Sequence, residues 1–336
     1  KSTDYFNTKL YTGNGSAGNA LTGIGHQPDL VWMKGRNQAF DQCWYDAVRG
    51  VTKLIRSNLT NAEATQSGVT AFGSDGFTLG SSGETNSNND TYVAWNWKAN
   101  GAGSSNTDGS ITSTVSASTT SGFSIVKWTG TGSAATVGHG LGTTPGLIII
   151  KNYSRAGEDW VVWHDSFAAN QFIRLNTTAA VATSTSMWNN TLPTSTVFSL
   201  VNEEKNNYSG DNIIGYCFAE KTGFSKFGSY TGTSDADGPF LYCGFKPAFY
   251  LWKPYNATDS WNLVDSKRDG YNPDNNRLFP NASSAEDTQD RVDLVSNGIK
   301  IRTSDGGTNS SSRSYIFMAF AEEPLVSSNG VPATAR

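Results

Sequence analysis

Residues 244–253 of this chain read GFKPAFYLWK, and the same pattern occurs twice more, as GTTPGLIIIK at residues 142–151 and GHQPDLVWMK at residues 25–34. In each copy a Gly-x-x-Pro turn precedes an apolar run, and a lysine stands six residues after the proline. A short apolar run bounded by turn residues is typical of a buried β-strand. The equal spacing in three copies indicates that the chain is built from an internal repeat.

Further correspondences extend this repeat in both directions. Upstream, an aromatic residue followed by Thr and Gly opens a glycine-rich stretch, at residues 11–13, 128–130 and 230–232. Downstream come an aspartate (Asp46, Asp165 and Asp265), an Asn-x-Thr/Ser-x-Ala element (Asn58, Asn176 and Asn281) and an aromatic closing run (92–97, 213–218 and 315–320). We therefore divide the chain into a first unit (1–98), a Gly/Ser-rich linker (99–122), a second unit (123–220), a third unit (221–323) and a C-terminal tail (324–336).

Residue alternation and turn chemistry favour strands over helices. In the run that ends at Asp165, alternate residues Val161 and Trp163 share a face with it, which is a strand pattern. The pair Asn297-Gly298 between apolar runs is a hairpin signal. The linker is interpreted as flexible, with one short strand at 111–117. A short helix is expected near Asn58, Asn176 and Asn281, where a side-chain oxygen would cap it.

The composition supports an all-β fold. Ser, Thr, Asn and Gly make up 140 of the 336 residues, aromatics are 12% and charged residues only 16%. This mixture suits short strands joined by polar turns. About seven strands in 100 residues predict three tandem β-sandwich-like repeats of lectin or jelly-roll type, with short turn helices. A propeller is disfavoured because its blades have roughly 40–50 residues.

Charge and hydropathy exclude two classes of partner. The net charge is −4 and there is no run of Lys and Arg, so nucleic acid is not expected as a partner. The longest aliphatic run is Leu147–Ile150, far below the roughly 20 residues of a membrane helix, so membrane insertion is not expected. The three cysteines, Cys43, Cys217 and Cys243, are an odd, widely spaced set that we interpret as small buried apolar residues.

The regular carboxylates do not predict an active site. Each unit carries one repeated aspartate, whereas a glycosidase needs two acids roughly 5–10 Å apart in unlike environments. We expect each aspartate to pair with a backbone amide or with the repeated lysine. The sequence therefore predicts no catalytic residue and no enzymatic activity.

No metal or cofactor is expected either. The histidines His26, His139 and His164 are scattered. The loop Asp235–Gly238 and the segment 269–276 with Asp274 carry oxygens that calcium could use, but neither matches a twelve-residue calcium loop. Turn chemistry is the favoured interpretation of both.

Aromatic residues in polar loops are the remaining candidates. Such rings can stack on the apolar face of a sugar while nearby amides and charges bond its hydroxyls. The third unit is longer than the others between its repeated Asp and Asn, 16 residues against 12 and 11, so its segment 266–280 is expected to be an exposed contact loop. The candidate glycan- or partner-binding residues are Trp188, Tyr255, Arg268, Asp269, Tyr271 and Asn275. Packing of these aromatics within turns is an equally open alternative.

The sequence resembles a repeat domain of tail-fibre and other virion proteins of marine tailed bacteriophages. The strings that carry the resemblance are YVAWNWK at 92–98, KTGFSKFGSYTG at 221–232 and KRDGYN at 267–272. The resemblance implies a virion tail or surface component, exposed outside the cell, that assists attachment to the host. Implied partners are other virion proteins, a host-surface glycan and two further copies in a homotrimer. An architectural capsid or tail decoration protein is the alternative, followed by a polysaccharide depolymerase.

Overall fold

The computed structural model describes residues 1–268, 271–272 and 274–322, with the side chains of 274 and 275 left out, and is all-β. Its strands form six antiparallel sheets within this part of the chain. The expected all-β class is thus confirmed. Among the described residues, no helix is long and apolar enough to cross a membrane.

The first unit has two sheets that share a buried cluster. Its elements are a 3-10 turn (Ser2–Asp4), β1 (Phe6–Thr12), β2 (Asn19–Leu21), β3 (Leu30–Gly35), β4 (Cys43–Asp46), β5 (Lys53–Arg56), β6 (Ala64–Thr65), β7 (Val69–Gly73), β8 (Gly76–Leu79), α1 (Gly83–Asn86) and β9 (Thr91–Trp97). The sheet orders are β1-β9-β3-β4-β5-β6 and β2-β8-β7. Val31 and Tyr45 of the first sheet pack with Leu21 and Phe77 of the second, as in a sandwich.

The second unit and the segment before it form an eight-stranded sheet and a two-stranded sheet. Their elements are β10 (Ser104–Asn106), β11 (Ser113–Ser118), β12 (Phe123–Thr129), β13 (Ala135–Gly138), β14 (Leu147–Asn152), β15 (Val161–His164), β16 (Gln171–Arg174), β17 (Ala182–Thr183), α2 (Thr185–Trp188), β18 (Val197–Leu200) and β19 (Asn212–Phe218). The orders are β10-β11-β12-β19-β14-β15-β16-β17 and β13-β18.

The third unit has two four-stranded sheets. Its elements are β20 (Ser225–Thr231), β21 (Phe240–Tyr242), β22 (Pro247–Pro254), β23 (Asn262–Asp265), β24 (Asp274–Arg277), β25 (Asp287–Val295), β26 (Gly298–Ile301), α3 (Gly306–Asn309) and β27 (Ser314–Ala321). The orders are β20-β27-β22-β23 and β21-β26-β25-β24. Tyr250 and Trp252 of the first sheet share a buried cluster with Leu241 and Ile299 of the second.

One order of strand pairing occurs in all three units. The opening strand pairs with the closing strand, which pairs with the Gly-x-x-Pro strand, which pairs with the strand before the repeated Asp: β1-β9-β3-β4, β12-β19-β14-β15 and β20-β27-β22-β23. The predicted Gly-x-x-Pro and closing strands are therefore confirmed. These central strands are buried on both sides, which explains their unbroken apolar and aromatic runs.

The strand register shows that Asp165 was assigned to the repeat in error in the second unit. Asp46 lies opposite Leu30, and Asp265 lies opposite Phe249. Leu30 and Phe249 each stand two residues after the proline of the unit's Gly-x-x-Pro turn. The residue opposite the corresponding Leu147 is His164. Asp165 is therefore not the counterpart of the other two aspartates, and its side chain is 45% exposed. The sequence comparison was one residue out of register at this point.

The segment 99–122 is not a free linker. β11 pairs with both β10 and β12, so the segment extends the main sheet of the second unit. Ile111, Ser113 and Val115 alternate toward the buried side. The short strand expected at 111–117 is found at Ser113–Ser118, but its pairing into the sheet of the second unit was not expected from the Gly- and Ser-rich composition.

The helices expected near the repeated asparagines are absent from these described positions. The short helices instead stand at α1, α2 and α3. Each asparagine Oδ1 accepts the main-chain N–H of the residue that precedes the Asp strand: Gln42 for Asn58 (2.9 Å), Trp160 for Asn176 (3.0 Å) and Trp261 for Asn281 (2.7 Å). A side-chain amide thus closes a turn between strands, a role that asparagine commonly takes.

The closing strands converge on three aromatic rings. Trp97, Phe218 and Phe320 occupy the same register position in their units. Each ring contacts the other two, with centroids 6.3 Å (Trp97 to Phe218), 5.7 Å (Trp97 to Phe320) and 5.9 Å (Phe218 to Phe320) apart. The main hydrophobic cluster surrounds this centre and contains residues of every unit.

Candidate functional site on the third unit

The repeated acids serve packing between units. Asp46 accepts the N–H groups of Val48 and Arg49, and its Oδ2 lies 2.6 Å from Nε of Arg49. Asp265 has the same arrangement with Lys267 and Arg268, again with a 2.6 Å bond to the arginine. Both carboxylates are fully buried. Of the two expected partners, the backbone amides are confirmed, while arginine rather than lysine supplies the charge.

These positions link the units in a cycle. The first unit contacts the closing strand of the second, the second contacts that of the third, and the third contacts that of the first. The three bonds run from the Tyr216 hydroxyl to Asp46 (2.8 Å), from His164 Nε2 to the Phe317 carbonyl (3.3 Å) and from the Trp95 indole to Asp265 (3.0 Å). The polar groups most suggestive of chemistry therefore hold the units together.

The contact between the second and third units uses a neutral histidine and apolar side chains in place of a buried Asp–Arg pair. His164 Nδ1 accepts the Ser166 N–H, and burial lowers the pKa of His164 to about 4, so the ring is neutral at pH 7. Phe167 stands where the other contacts have an arginine. Val162 and Met318 replace the larger Trp44 and Tyr216, which leaves a small apolar cavity between these two units.

The repeated lysines Lys34, Lys151 and Lys253 are buried among carbonyl groups. Lys151 Nζ donates to the carbonyl of Thr60 in the first unit (3.2 Å), and Lys253 Nζ donates to that of Thr178 in the second (3.3 Å). Burial lowers the pKa of each lysine to about 8. Lys151 and Lys253 therefore tie neighbouring units together, whereas Lys34 donates to the Gly35 and Gln38 carbonyls of its own unit.

We expect Lys151 to make stability depend on pH. Its pKa is about 8 when folded and about 10.5 when unfolded, so between these values the unfolded chain binds more protons and stability rises with pH. From pH 8 to pH 10 the free energy of unfolding should rise by about 2 kcal/mol more in the wild type than in Lys151→Met. Urea unfolding of both proteins at each pH measures this difference. Parallel pH profiles would contradict it.

Two predicted contact aromatics are not free surface platforms. Trp188 is 2% exposed and its indole donates to the Gln171 carbonyl (3.0 Å), so its assignment to a binding surface is wrong. Tyr255 is half-buried and packs edge-on against Phe167 at 5.5 Å. It belongs to the contact between the second and third units. Both rings are packed rather than free, Trp188 in α2 and Tyr255 at an interface between units, and the alternative of packing within turns did not anticipate the interface.

Arg268 is also misassigned. Its side chain is inaccessible to solvent and pairs with Asp265 and Glu286 of its own unit. Its guanidinium also lies over the ring of Trp95 in the first unit, 5.7 Å from the ring centroid. Asp269 lies outside the described residues, as does the side chain of Asn275. At the start of the 266–280 segment, Lys267 is therefore exposed while Arg268 is buried.

Tyr271 retains the predicted exposure, with 87% of its surface accessible. The adjacent Asn272 is anchored, since its amide donates to the Leu294 carbonyl (3.0 Å) and accepts the Leu294 N–H (2.9 Å). A fixed neighbour and an exposed ring suit a contact residue, because little ordering is needed on binding. Tyr271 is the most exposed large apolar residue in the described part of the chain.

Sequence reasoning missed two further exposed aromatic residues, Phe240 and Tyr242, in β21. Phe240 and Tyr242 of β21 are 46% and 64% exposed, while Leu241 between them is 7% exposed. The alternation in GPFLYC at 238–243 was the available signal. By pairing register, the corresponding residues are Ala20 and Thr22 in the first unit and Thr136 and Gly138 in the second. The fold therefore does not require aromatic residues at these positions.

Charges beside this pair are compensated. Lys300 pairs with Asp237 at 2.8 Å, and Arg302 pairs with Asp293. Asp235 accepts the Asp237 N–H at 2.9 Å, so turn chemistry, the favoured interpretation of this loop, is confirmed. In the described part of the chain, no group of three or more His, Cys, Asp or Glu side chains could hold a metal ion. The three cysteines are buried as predicted.

A family model described as "Domain of unknown function (DUF7483)" matches residues 1–324, nearly the whole chain. No curated protein matches the sequence.

Proposed function

The chain belongs to the DUF7483 family, and from this premise we propose that it is a non-enzymatic structural protein of a tailed-phage virion, in a tail fibre or knob. In this role it contributes to attachment to the host surface. The support is the resemblance of residues 92–98, 221–232 and 267–272 to virion repeat domains. Its place would be the virion tail or outer surface, with other virion proteins as neighbours.

The proposal includes a fold of three tandem β-sandwich-like repeats of lectin or jelly-roll type. The recurring order of strand pairing supports it, together with the shared register of Trp97, Phe218 and Phe320. The cyclic contacts favour three units around one axis within a single chain. A homotrimer of whole chains stays a prediction of the resemblance.

The non-enzymatic part of the proposal rests on how the acids are used. Asp46 and Asp265 are buried and paired with arginine, so neither could reach a substrate. The pKa of Asp165 is raised to about 6, first by partial desolvation of its carboxyl group and then by the repulsive charge of Glu220, although 45% of the side chain is exposed. That value would suit an acid catalyst, but Asp165 has no counterpart in the other units. These features give the depolymerase alternative little support.

Tyr271 is the single observation that carries the attachment role. It is an exposed ring beside an anchored asparagine, in the segment where the third unit is longest. A host-surface glycan is the matching partner, because a ring offers a stacking face for sugar C–H groups.

We expect Tyr271→Ala to weaken binding to host cells or to an arrayed host glycan about tenfold, since one stacking aromatic contributes roughly 1–2 kcal/mol. Leu192→Ala is the matched control, because Leu192 is an apolar residue 53% exposed in the second unit. Equal binding by the wild type and Tyr271→Ala would remove the proposed attachment site.

An architectural decoration protein is the second candidate. The observation that favours it is the aromatic pair Phe240 and Tyr242 on the open edge of a sheet. Such an edge suits contact with another polypeptide better than contact with a sugar.

A further inference from the structure

We propose that the free edge of β21 binds an extended polypeptide segment of a partner chain, which adds to the sheet as a further strand. This site is separate from Tyr271 and goes beyond the proposed attachment role. β21 is the edge strand of the sheet β21-β26-β25-β24. An edge strand presents unpaired N–H and C=O groups that can template another strand.

The second unit shows how such an edge is used. Its corresponding strand β13 is covered by residues 106–111 of the same chain, and Ile111 forms a parallel bridge with Val137. The Ile111 N–H donates to the Thr136 carbonyl (3.0 Å), and the Thr136 N–H donates to the Ser110 hydroxyl (2.9 Å). The outward main-chain groups of Thr136 therefore hold an extended segment.

The first unit protects its edge in another way. Lys9 Nζ donates to the carbonyl of Thr22 at 2.7 Å, next to the end of β2. A lysine at a strand edge is a common device against pairing with other chains. The second unit thus covers this edge with its own chain, and the first unit places a lysine at the end of the edge strand.

The third unit leaves the same edge open. The Ile301 N–H donates to the Pro239 carbonyl and the Cys243 N–H donates to the Asn297 carbonyl, so residues 239, 241 and 243 direct their main-chain groups toward β26. Those of Phe240 and Tyr242 point outward, and no described residue bonds them. Their rings stand beside this edge, where a bound segment would cover them. Open main-chain groups and exposed rings thus coincide at one place.

The second unit also indicates which segment fits. A Cβ at Gly109 would lie 2.4 Å from the Thr136 carbonyl oxygen, so a glycine must face the strand there. A Cβ at Gly138 would lie 2.0 Å from Asn106 Oδ1. Because Tyr242 replaces Gly138, the partner of the third unit needs a residue smaller than asparagine at that point. The occupant is therefore an extended, uncharged or weakly charged peptide rich in glycine and hydroxyl residues.

The test uses a peptide copied from residues 106–113 with Asn106→Gly, that is GTDGSITS, and the full-length protein. Hydrogen exchange followed by mass spectrometry should show slower exchange at Phe240 and Tyr242 when the peptide is added at about 2 mM, since isolated strand addition is weak. The same peptide with Gly109→Val should give no protection. This readout needs no variant of the protein.

Protein variants then separate main-chain from side-chain binding. Phe240→Ala keeps the N–H and should weaken peptide binding about threefold, whereas Phe240→Pro removes it and should weaken binding more than tenfold. Tyr271→Ala should leave peptide binding unchanged, so failure of the attachment proposal and failure of this one are distinguishable.

Three results would overturn the proposal. One is the absence of protection at 240–242 in the wild type. Another is equal binding by Phe240→Ala and a folded Phe240→Pro. The third is binding of a glycan by the wild type that is lost in Phe240→Ala and in Tyr242→Ala, because the aromatic pair would then be a sugar site.

Discussion

Arg268→Met should lower the free energy of unfolding by about 3–5 kcal/mol, because it leaves the buried Asp265 without its cation. Arg268 is inaccessible to solvent and lies 2.6 Å from Asp265 and 3.0 Å from Glu286. The Asp265 carboxylate also accepts the Trp95 indole, so the loss spreads to the contact with the first unit. Urea unfolding followed by tryptophan fluorescence measures the change.

Two variants separate this effect from a general loss of charge. Arg155→Met removes an arginine paired with Asp211 near the surface, and should leave stability almost unchanged. Asp265→His combined with Arg268→Phe copies His164 and Phe167 of the second unit. It should recover at least half of the loss, because both buried charges are removed together. A loss below about 1 kcal/mol in Arg268→Met would show that the contact does not depend on this pair.

Trp97→Ala should lower the free energy of unfolding by about 3–5 kcal/mol, because it opens a cavity where the three units meet. The Trp97 ring is 1% exposed and contacts Phe6, Phe218, Phe249 and Phe320. Loss of the ring removes contacts to all three units at once. Thermal and urea unfolding should both show the decrease.

Trp97→Phe is the matched control. It places in the first unit the phenylalanine found at positions 218 and 320. It also removes the buried indole N–H of Trp97, which donates no hydrogen bond to any described residue. We expect a change within about 1 kcal/mol. A similar decrease for both variants would mean that ring volume at this centre is not what stabilises the protein.

Local signals predicted the strands well. The runs at 30–34, 147–151 and 249–253 and the closing strands were found because residue periodicity and turn chemistry act within a few residues. The helices near Asn58, Asn176 and Asn281 were not found there. An asparagine that caps a helix and one that closes a turn have the same local sequence, and only the strand opposite decides between them.

Matching the three units by residue identity selected the wrong residue at one position. The second unit has His164 next to Asp165, and matching aspartates selected the wrong residue. A shift of one residue turns a side chain to the opposite face of a strand, so Asp165 lies exposed while His164 is buried between units. Strand register depends on the partner strand, which a single sequence does not display.

By itself the sequence determined the all-β class and the strands that carry the core, because these follow from local pattern and spacing. Only the tertiary structure decided which side chains reach solvent. Trp188 and Arg268 are buried by residues distant in the chain, whereas Phe240 and Tyr242 are exposed because nothing described covers β21. The same edge is covered in the second unit by residues 106–111. Exposure depends on packing with residues that are distant in the chain, so polar local sequence was a poor guide to the contact surface.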